Sequence, residues 1–393
     1  MTSPAQQLGP ALAIDARLTE IERDLNLLLN VTPVNAAEAW VDFERSDFGA
    51  APTLRLRPLE FEPDLVRRDL YALEVEHVTD PALHTLLRAK RDEMSRQITA
   101  LEDRDTSRFV YGSLQLYGAV APSLARAAEE LLETIPARGP SMHSVTAGAF
   151  ADAARAELDR YRAVYPECPA HLEVRDDVSE LRVSFGRLLI PEAAAIRADR
   201  VDPLVHHEVG THVVTYNNGA RQPLTLLTIG LPGYDETQEG LAVLAEYLTG
   251  GLDPRRLRVL AARVVAVGRM LDGAGFLDIF ESLRADYGMP ARTAWSIAIR
   301  VVVGGGSVKD AIYLRGIARI LEFLAEGGSL EVLLVGKLAL DHVPLVQDLL
   351  DREVLQPPWV RPRWLDVPGA QERLDRLRAG ASVTDLYEGE VSA

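Results

Sequence analysis

The stretch 206–212 reads His-His-Glu-Val-Gly-Thr-His and holds three of the eight histidines in this chain of 393 residues. Within it, His207, Glu208 and His212 form the pattern H-E-x-x-x-H. Imidazole is the commonest protein ligand of metal ions, and a carboxylate beside such a ligand can act as a general base toward water. The stretch therefore predicts a metal centre with hydrolytic chemistry. The alternative is a polar helix end that happens to be rich in histidine.

The spacing of the two histidines differs from the familiar zinc-peptidase pattern. In H-E-x-x-H the histidines are four residues apart and share one helix face, whereas His207 and His212 are five apart. At about 100° per residue, they would point roughly 140° away from each other on an ideal α-helix. Joint ligation therefore requires the helix to absorb one residue, most simply through a single π-helical turn. Gly210, inside the motif, lowers the local resistance to that distortion.

The composition is typical of a soluble globular protein, with 47% hydrophobic and 25% charged residues. The single cysteine, Cys168, excludes an internal disulfide framework and a cysteine-rich zinc site, so histidine and carboxylate must hold any zinc. The N-terminus shows no basic region followed by an apolar core, and no uncharged apolar stretch reaches about 18 residues. We therefore expect neither a secretory signal nor a transmembrane helix, and a cytoplasmic location.

The charge balance bears on the choice of partners. The net charge of −16 argues against broad binding to nucleic acid or to anionic membranes. The sequence gives no indication of the oligomeric state. Only three of the 42 basic residues are lysines, namely Lys90, Lys309 and Lys337. Each of these lysines is notable in a chain that otherwise uses arginine.

Helical periodicity dominates the first part of the chain. We expect a flexible arm over 1–13, because this segment is polar and interrupted by proline and glycine, and an all-helical N-terminal region over 14–138. Residues 139–393 are expected to form the catalytic domain. The predicted helices are Ile14–Leu29, Ala36–Glu44, Pro63–Val75, Pro81–Glu102, Tyr111–Leu132 and, after the break at Gly139-Pro140, Thr146–Arg162.

Two alternating stretches after residue 170 predict β-structure. His171–Val174 and Leu181–Ile190 flank Asp176-Asp177, so we expect a β-hairpin directly before the histidine-rich helix. Its edge could bind an extended peptide through main-chain hydrogen bonds, or the hairpin could simply cover the core. Asn217-Asn218-Gly219 predicts a turn after that helix. The predicted fold class is α+β and predominantly α-helical, with a small hairpin or sheet next to the motif helix.

A catalytic zinc ion takes three protein ligands and keeps one position for water, so the histidine pair needs a partner. The best candidate is Glu239, in Gln238-Glu239-Gly240-Leu241-Ala242 at the start of another predicted helix. Taken alone, Glu239 is explained by the helix dipole, but beside two histidines it completes a His/His/Glu set. Glu246, seven residues on, lies on nearly the same face and could orient a ligating histidine. We take His207 as that ligand and His206 as a supporting neighbour or a bystander.

The two motifs together resemble the QEGLA-motif family, whose bacterial members carry the label flavohemoglobin expression-modulating and whose animal relatives include the microtubule-associated tyrosine carboxypeptidase. Further family landmarks cover most of residues 60–345, namely Tyr111-Gly112-Ser113, Arg182–Pro191, Leu248-Thr249-Gly250-Gly251 and Lys309-Asp310-x-x-Tyr313-x-x-Gly316. The resemblance implies a zincin-like catalytic core with a gluzincin-like zinc site at His207, His212 and Glu239. In the animal branch it implies removal of a C-terminal tyrosine, a substrate that does not transfer automatically to this chain.

These residues predict a hydrolytic mechanism. Zn²⁺ held by the His/His/Glu set would activate water, and Glu208 would accept the proton and pass it to the leaving amine. The tetrahedral oxyanion needs one more donor. Tyr313 is our first candidate, followed by Tyr234 and His206, although a packed tyrosine is an equally good interpretation.

An enzyme that trims C-termini also needs a cation for the terminal carboxylate. Lys309, Arg300 and Arg221 are the candidates, although each is equally well explained as a solvated surface charge. Gly304-Gly305-Gly306-Ser307 lacks the residue order of a phosphate-binding loop. We interpret it as a flexible connection that would let Lys309 reach the site.

Two classes of function fit these patterns. The first is a zinc-dependent metallopeptidase, in particular a carboxypeptidase acting on the C-terminal tail of a peptide or protein, with a small-molecule metal amidase as a near variant. The second is a regulatory or binding protein with a structural metal site. Glu208 favours the enzyme, because a structural site has no need of a base beside its ligand.

Overall fold

The computed structural model describes residues 4–137, 143–169, 171–178 and 180–387 of the chain. Helices account for most of these residues, and the strands form one two-stranded and one three-stranded sheet. The predicted α+β class with a predominance of helix is therefore confirmed. Among the described helices, none is long and apolar enough to cross a membrane.

The N-terminal part is helical, as the sequence predicts. Its helices are α1 (Pro4–Leu25), α2 (Leu27–Val31), α3 (Ala36–Arg45), α4 (Pro63–Tyr71), α5 (Pro81–Asp103), α6 (Phe109–Tyr117) and α7 (Pro122–Thr134). Helix α5 begins where predicted because the Asp80 carboxylate accepts bonds from the N–H groups of Ala82 and Leu83, each at 3.0 Å. Helix α1 packs along α5.

Helix α1 starts at Pro4 instead of the predicted Ile14. Residues 4–13 therefore belong to a helix, and the prediction of a flexible arm was wrong for them. Ala11 is fully buried, so burial of the apolar stripe outweighs the local interruption by Pro10.

The region predicted as one helix over Tyr111–Leu132 is divided into α6 and α7. Helix α6 ends at Gly118, whose φ is 72°, and α7 starts with Pro122 in its first turn. A left-handed glycine and an N-terminal proline are the common end and start signals of helices. The break was therefore visible in the sequence.

The strands follow the N-terminal helices along the chain and form two small sheets. The strands are β1 (Ser144–Thr146), β2 (His171–Arg175), β3 (Arg182–Ser184), β4 (Arg187–Pro191) and β5 (Ala195–Arg197). Strand β1 pairs antiparallel with β5, and the larger sheet has the order β2-β4-β3.

The hairpin predicted between His171–Val174 and Leu181–Ile190 was wrong. Strand β2 runs parallel to β4, and the hairpin joins β3 to β4 within the second stretch. Phe185 and Gly186 form its two-residue turn, with φ values of 47° and 74°. Positive φ at both turn residues matches the twist of a tight hairpin, which explains why the chain reverses there.

The remaining helices include α9 (Val201–His207) and α10 (Val214–Ala220), the two ends of the helix that carries the H-E-x-x-x-H motif and that we call the motif helix. The others are α8 (Ala147–Val164), α11 (Leu226–Ile229), α12 (Tyr234–Leu248), α13 (Pro254–Leu271), α14 (Phe276–Ala285), α15 (Ala291–Val302), α16 (Ile312–Ala325), α17 (Leu330–Leu333), α18 (Val343–Asp351) and α19 (Ala370–Arg378). One hydrophobic core joins α1, α3–α5 and α7 to α11–α19, and a second lies among α8, the sheets and the helix that runs from α9 to α10. A smaller third cluster joins α2 to α5 and α6. The predicted domain boundary after residue 138 stays a prediction.

Helices α12 and α16 approach each other backbone to backbone. A Cβ atom added at Gly240 would lie 2.4 Å from the carbonyl carbon of Gly316, and one at Gly316 would lie 2.1 Å from the Glu236 oxygen. Both positions must therefore be glycine, since any side chain would force the helices apart. This contact fixes Glu239 on α12 relative to Tyr313 on α16.

The turn predicted at Asn217-Asn218-Gly219 was wrong, because α10 continues through it. Both asparagines are buried. The Asn218 amide donates to the carbonyls of Leu334 and Val360 at 2.7 and 2.9 Å and accepts from the Val360 N–H at 2.6 Å. Tertiary hydrogen bonds thus replace the local turn chemistry that the sequence suggested.

Replacement of Asn218 by alanine is expected to lower the free energy of unfolding by about 3 kcal/mol, because two carbonyls and one N–H lose their buried partner. Urea denaturation of the two proteins measures the difference. Gln371→Ala, at an exposed position of α19, is the control and should change stability by less than about 0.5 kcal/mol. Equal stability of Asn218→Ala and wild type would contradict the assigned role.

Candidate metal centre

The H-E-x-x-x-H motif lies on one continuous helix that consists of α9, a π-helical segment over Glu208–Val213 and α10. The π-turn predicted from the spacing is therefore confirmed. It brings His207 and His212 to one side, with ring centroids 5.1 Å apart and ring planes at 81°. The extra residue is absorbed without separating the two imidazoles.

The π-segment is held from outside by Trp364. Its indole Nε1 donates to the carbonyl of Gly210 at 3.0 Å. A Cβ atom at position 210 would lie 2.9 Å from Trp364 Cδ1, so only glycine lets the indole reach this carbonyl. Gly210 therefore serves a close contact as well as the helix distortion. Side chains that enter the hydrogen-bond ladder commonly accompany such distortions.

Glu239 on α12 completes a cluster of three potential ligands. Its Oε2 lies 3.6 Å from His207 Nε2 and 3.9 Å from His212 Nε2. One ligand atom from each of the three residues falls within 4.8 Å of the others. The structure thus brings together the His/His/Glu set that the sequence predicted.

The donors of this cluster fit a zinc ion. Zinc in proteins accepts imidazole nitrogen and carboxylate oxygen, and a catalytic zinc uses three such ligands. Glu239 Oε2 is buried and has no hydrogen-bond partner among the described residues. A buried carboxylate oxygen without a donor is costly, and a cation at the centre of the cluster would satisfy it.

Glu246 supports His207 from the side opposite to the cluster. Its Oε1 lies 2.8 Å from His207 Nδ1, which leaves Nε2 facing Glu239. Its Oε2 forms ion pairs with Arg200 at 2.8 Å and with Arg256 at 3.4 Å. Burial raises the pKa of Glu246, but Arg256, His207 and Arg200 together hold it below its ordinary value. An ionised Glu246 orients the ring and makes it a better ligand.

Burial and neighbouring charges give the residues of the cluster different proton affinities. Burial raises the pKa of Glu208 to about 7, with Glu239 and Glu246 adding to the rise and His207 opposing it. Burial lowers the pKa of His212 to about 4. Burial also lowers the pKa of His207, but the neighbouring carboxylates of Glu239 and Glu246 outweigh that effect and raise it to about 9. Glu208 thus has the near-neutral pKa that suits a general base.

Tyr313 lies beside the cluster on α16. Burial and the charge of Glu239 raise its pKa. Its ring faces the guanidinium groups of Arg263 and Arg256, at 4.6 and 6.0 Å from the ring centroid. The tyrosine therefore stays protonated, and its environment is positively charged on one side and negatively charged on the other.

Two of the cations predicted to bind the terminal carboxylate of a substrate (the predicted anchors) follow the motif in the chain. Both are already paired with carboxylates of the chain. Lys309 Nζ lies 2.9 Å from Asp235 Oδ1, and Arg300 binds Asp310 with Nε and Nη2 at 2.8 to 3.0 Å. Arg300 also binds Glu180 at 2.7 Å. Each cation has a carboxylate partner, so neither is free to bind a substrate carboxylate without exchanging that partner.

The glycine segment before Lys309 is closely packed. Gly304, Gly305 and Gly306 have φ values of 70°, 111° and 126°. The Gly304 carbonyl accepts from the Asp105 N–H at 2.8 Å, and a Cβ atom at Gly305 would lie 1.9 Å from a backbone oxygen. The glycines thus serve a tight turn, in contrast to the predicted flexible connection.

Two predicted residues point away from the cluster. Arg221 pairs with the exposed Glu167 and stacks over Trp359 at 3.7 Å. His206 faces Asp202, with Nε2 3.9 Å from Oδ1, and its Nδ1 is buried without a hydrogen-bond partner among the described residues. Among the described residues, the contacts of both side chains are with groups outside the His/His/Glu set. Arg221 is not brought to the site, and His206 is not beside the reacting groups.

Sequence reasoning did not assign roles to three groups that the structure places around the cluster. Arg200 and Arg256 hold Glu246, and Lys337 lies between the rings of Tyr216 and Tyr234. The arginines carry no local signal, because Arg200 lies 46 positions before Glu246 and Arg256 belongs to a different helix, α13. Lys337 had a signal, because lysine is rare in this chain.

Replacement of Glu246 by glutamine is expected to weaken zinc binding by about 10- to 100-fold, since His207 loses its charged orienting partner. Competition with a chromogenic zinc chelator measures the affinity. Glu167→Gln is the matched control, because it alters an exposed carboxylate that pairs with Arg221. It should leave the affinity unchanged. An unaltered affinity in Glu246→Gln would show that the ring is oriented by packing alone.

The fold and the site place the chain in the class of helical proteins that carry a His/His/Glu candidate metal centre with an adjacent carboxylate. Residues 41–382 match the sequence model of the family described as microtubule-associated tyrosine carboxypeptidase, and the chain belongs to this family. The resemblance inferred from the motifs is confirmed. The family is one of peptidases, so the chain is an enzyme with carboxypeptidase-type activity. Comparison with curated proteins and with solved structures gives no match.

Proposed function

We propose that the protein is a zinc-dependent metallopeptidase that removes residues from the C-terminus of a peptide or protein. The observation that carries this proposal is the convergence of His207, His212 and Glu239 within 4.8 Å, with Glu208 beside them on the motif helix. The family supports a carboxypeptidase, and its description makes tyrosine the first terminal residue to test.

The proposed mechanism uses the three ligands of the cluster and two neighbours, Glu208 and Tyr313. When bound, zinc supplies a Lewis acid that lowers the pKa of water and polarises the scissile carbonyl. Glu208 accepts a proton from the attacking water, since burial raises its pKa to about 7, and then donates that proton to the leaving amine. Tyr313 keeps its proton and donates a hydrogen bond to the oxyanion.

The edge of the larger sheet offers a place for the substrate backbone. Strand β3 is an outer strand of that sheet and packs against the π-segment of the motif helix. An extended peptide that paired with this edge would pass the cluster, because the π-segment carries both Glu208 and His212. We include main-chain pairing at β3 in the proposed mode of substrate binding.

Zinc removal and peptide hydrolysis test the proposed function. The purified protein should contain about one zinc ion per chain and should shorten peptides with free C-termini by one residue, as seen by mass spectrometry. Dialysis against a chelator should abolish this activity, and added zinc should restore it. Full activity after zinc removal would exclude the metallopeptidase. A zinc-loaded protein that cleaves no peptide would favour the regulatory protein with a structural metal.

A further inference from the structure

The backbone of Lys337 is held by hydrogen bonds to α11 and to the residues that follow it. Lys337 lies in the loop after α17, where its N–H donates to the Leu227 carbonyl at 2.8 Å and its carbonyl accepts from the Leu231 N–H at 2.9 Å. The preceding Gly336 packs so closely that a Cβ atom there would lie 2.8 Å from the same Leu227 oxygen. The side chain therefore starts from a rigid position.

The side chain of Lys337 extends toward the motif helix. Its Nζ lies 5.8 Å from the ring centroid of Tyr216 and 5.5 Å from that of Tyr234. Tyr216 is one helical turn beyond His212, so Lys337 stands on the His212 side of the cluster. The positive charge of Lys337 contributes to the low pKa of His212, whose main cause is burial.

Lys337 differs from the other two lysines in its partners. Lys90 lies between Glu22 and Glu93, at 3.2 and 2.8 Å, and Lys309 pairs with Asp235. Lys337 is half-buried, yet its ammonium group makes no hydrogen bond or ion pair with any described residue.

The lack of a counter-ion has a cost that a ligand can remove. Burial lowers the pKa of Lys337 to about 8, while Asp235 and Glu239 oppose this change. The ammonium form therefore still predominates at neutral pH, and the rings of Tyr216 and Tyr234 lie near it. A half-buried cation without a carboxylate partner is a favourable place for an anion.

We propose that Lys337 binds the terminal carboxylate of the substrate and so restricts the enzyme to peptides with a free C-terminus. This inference rests on the proposed carboxypeptidase function. Lys337 replaces the three anchors suggested by the sequence, because Lys309, Arg300 and Arg221 already hold carboxylates of the chain. The chemical class of ligand is a peptide α-carboxylate, and a C-terminal amide lacks the charge that Lys337 requires.

Binding to an inactive protein tests the anchor without turnover. Zinc-loaded Glu208→Gln protein is titrated against a fluorescent octapeptide that contains no lysine and ends in tyrosine, either as the free acid or as the amide. A charge-assisted hydrogen bond predicts about 10- to 100-fold tighter binding of the acid. On the same background, Lys337→Met should abolish this preference, Lys337→Arg should keep part of it, and Arg221→Met should keep all of it.

Chemical protection of the wild-type protein, freed of zinc so that the peptide is not cleaved, provides a second measurement that does not depend on the folding of a variant. Acetic anhydride modifies accessible lysines, and the three lysines of the chain can be resolved by mass spectrometry. The free-acid peptide should slow acetylation of Lys337 at least five-fold relative to the amide. This follows from the roughly 10-fold or greater difference in affinity that is expected between the two peptides. Equal protection by the two peptides would overturn the inference.

The outcomes separate the anchor from the proposed function. A preference for the free acid that persists in Lys337→Met, or the absence of any preference in the parent protein, would overturn the anchor even if wild type hydrolyses peptides. If wild type hydrolyses no peptide but the preference depends on Lys337, the anchor stands and the hydrolytic function fails.

Discussion

The Glu208→Gln variant is expected to hydrolyse peptides about 10³-fold more slowly than wild type while retaining its zinc. The amide has nearly the same shape as the carboxylate but cannot accept the proton of water. His207 at the end of α9 and His212 on the π-segment are unchanged in this variant, so the proposed zinc ligands stay in place. The measurement is kcat for release of the terminal residue, together with the zinc content of the same sample.

Two comparisons make this result specific. Glu208→Asp keeps a carboxylate but shortens the side chain, and it should therefore retain part of the activity. Glu167→Gln changes an exposed carboxylate paired with Arg221 and should match wild type. If Glu208→Gln holds zinc and turns over peptides as fast as wild type, Glu208 is not the base.

The Glu239→Ala variant is expected to lose zinc affinity by a factor of about 10³, since it removes one of three ligands whose joint binding free energy is of the order of 10 kcal/mol. Its activity at limiting zinc should fall with the affinity. The contribution of Glu239 arises because its Oε2 is the buried oxygen that faces both imidazoles. Chelator competition measures the dissociation constant.

Glu239→Gln separates the charge of this ligand from its position. The amide oxygen can still reach the cluster but carries no negative charge, so the affinity should lie between those of wild type and Glu239→Ala. The same affinity in all three proteins would remove Glu239 from the ligand set. A large loss of zinc in Glu246→Gln together with an unaltered affinity in Glu239→Ala would instead assign the third ligand to Glu246.

The site could be predicted from local spacing to a large extent. The five-residue separation of His207 and His212 required a π-turn, and the structure contains one. The seven-residue separation of Glu239 and Glu246 placed both on one face of α12, where one meets the histidine pair and the other meets His207 Nδ1. These features depend on helical periodicity, which is a property of short segments.

The parts that could not be predicted depend on contacts between distant segments. The parallel pairing of β2 with β4 skips the strand between them, and no local pattern encodes that choice. The ion pairs of the predicted anchors depend on distant segments in the same way. Lys309 finds its carboxylate at Asp235, 74 positions away, and Arg300 is bound in part by Glu180, 120 positions away.

The bond from Trp364 to the Gly210 carbonyl spans 154 positions of the chain. During synthesis the histidine-rich stretch leaves the ribosome long before Trp364 is added to the chain. Asn218 likewise leaves the ribosome before its partner Val360 is added. Until then the hydrogen bond from Trp364 cannot help to hold the π-turn that brings the two imidazoles to one side. We therefore expect the geometry of the His/His/Glu set to become fixed only once the segment around Trp364 has been made.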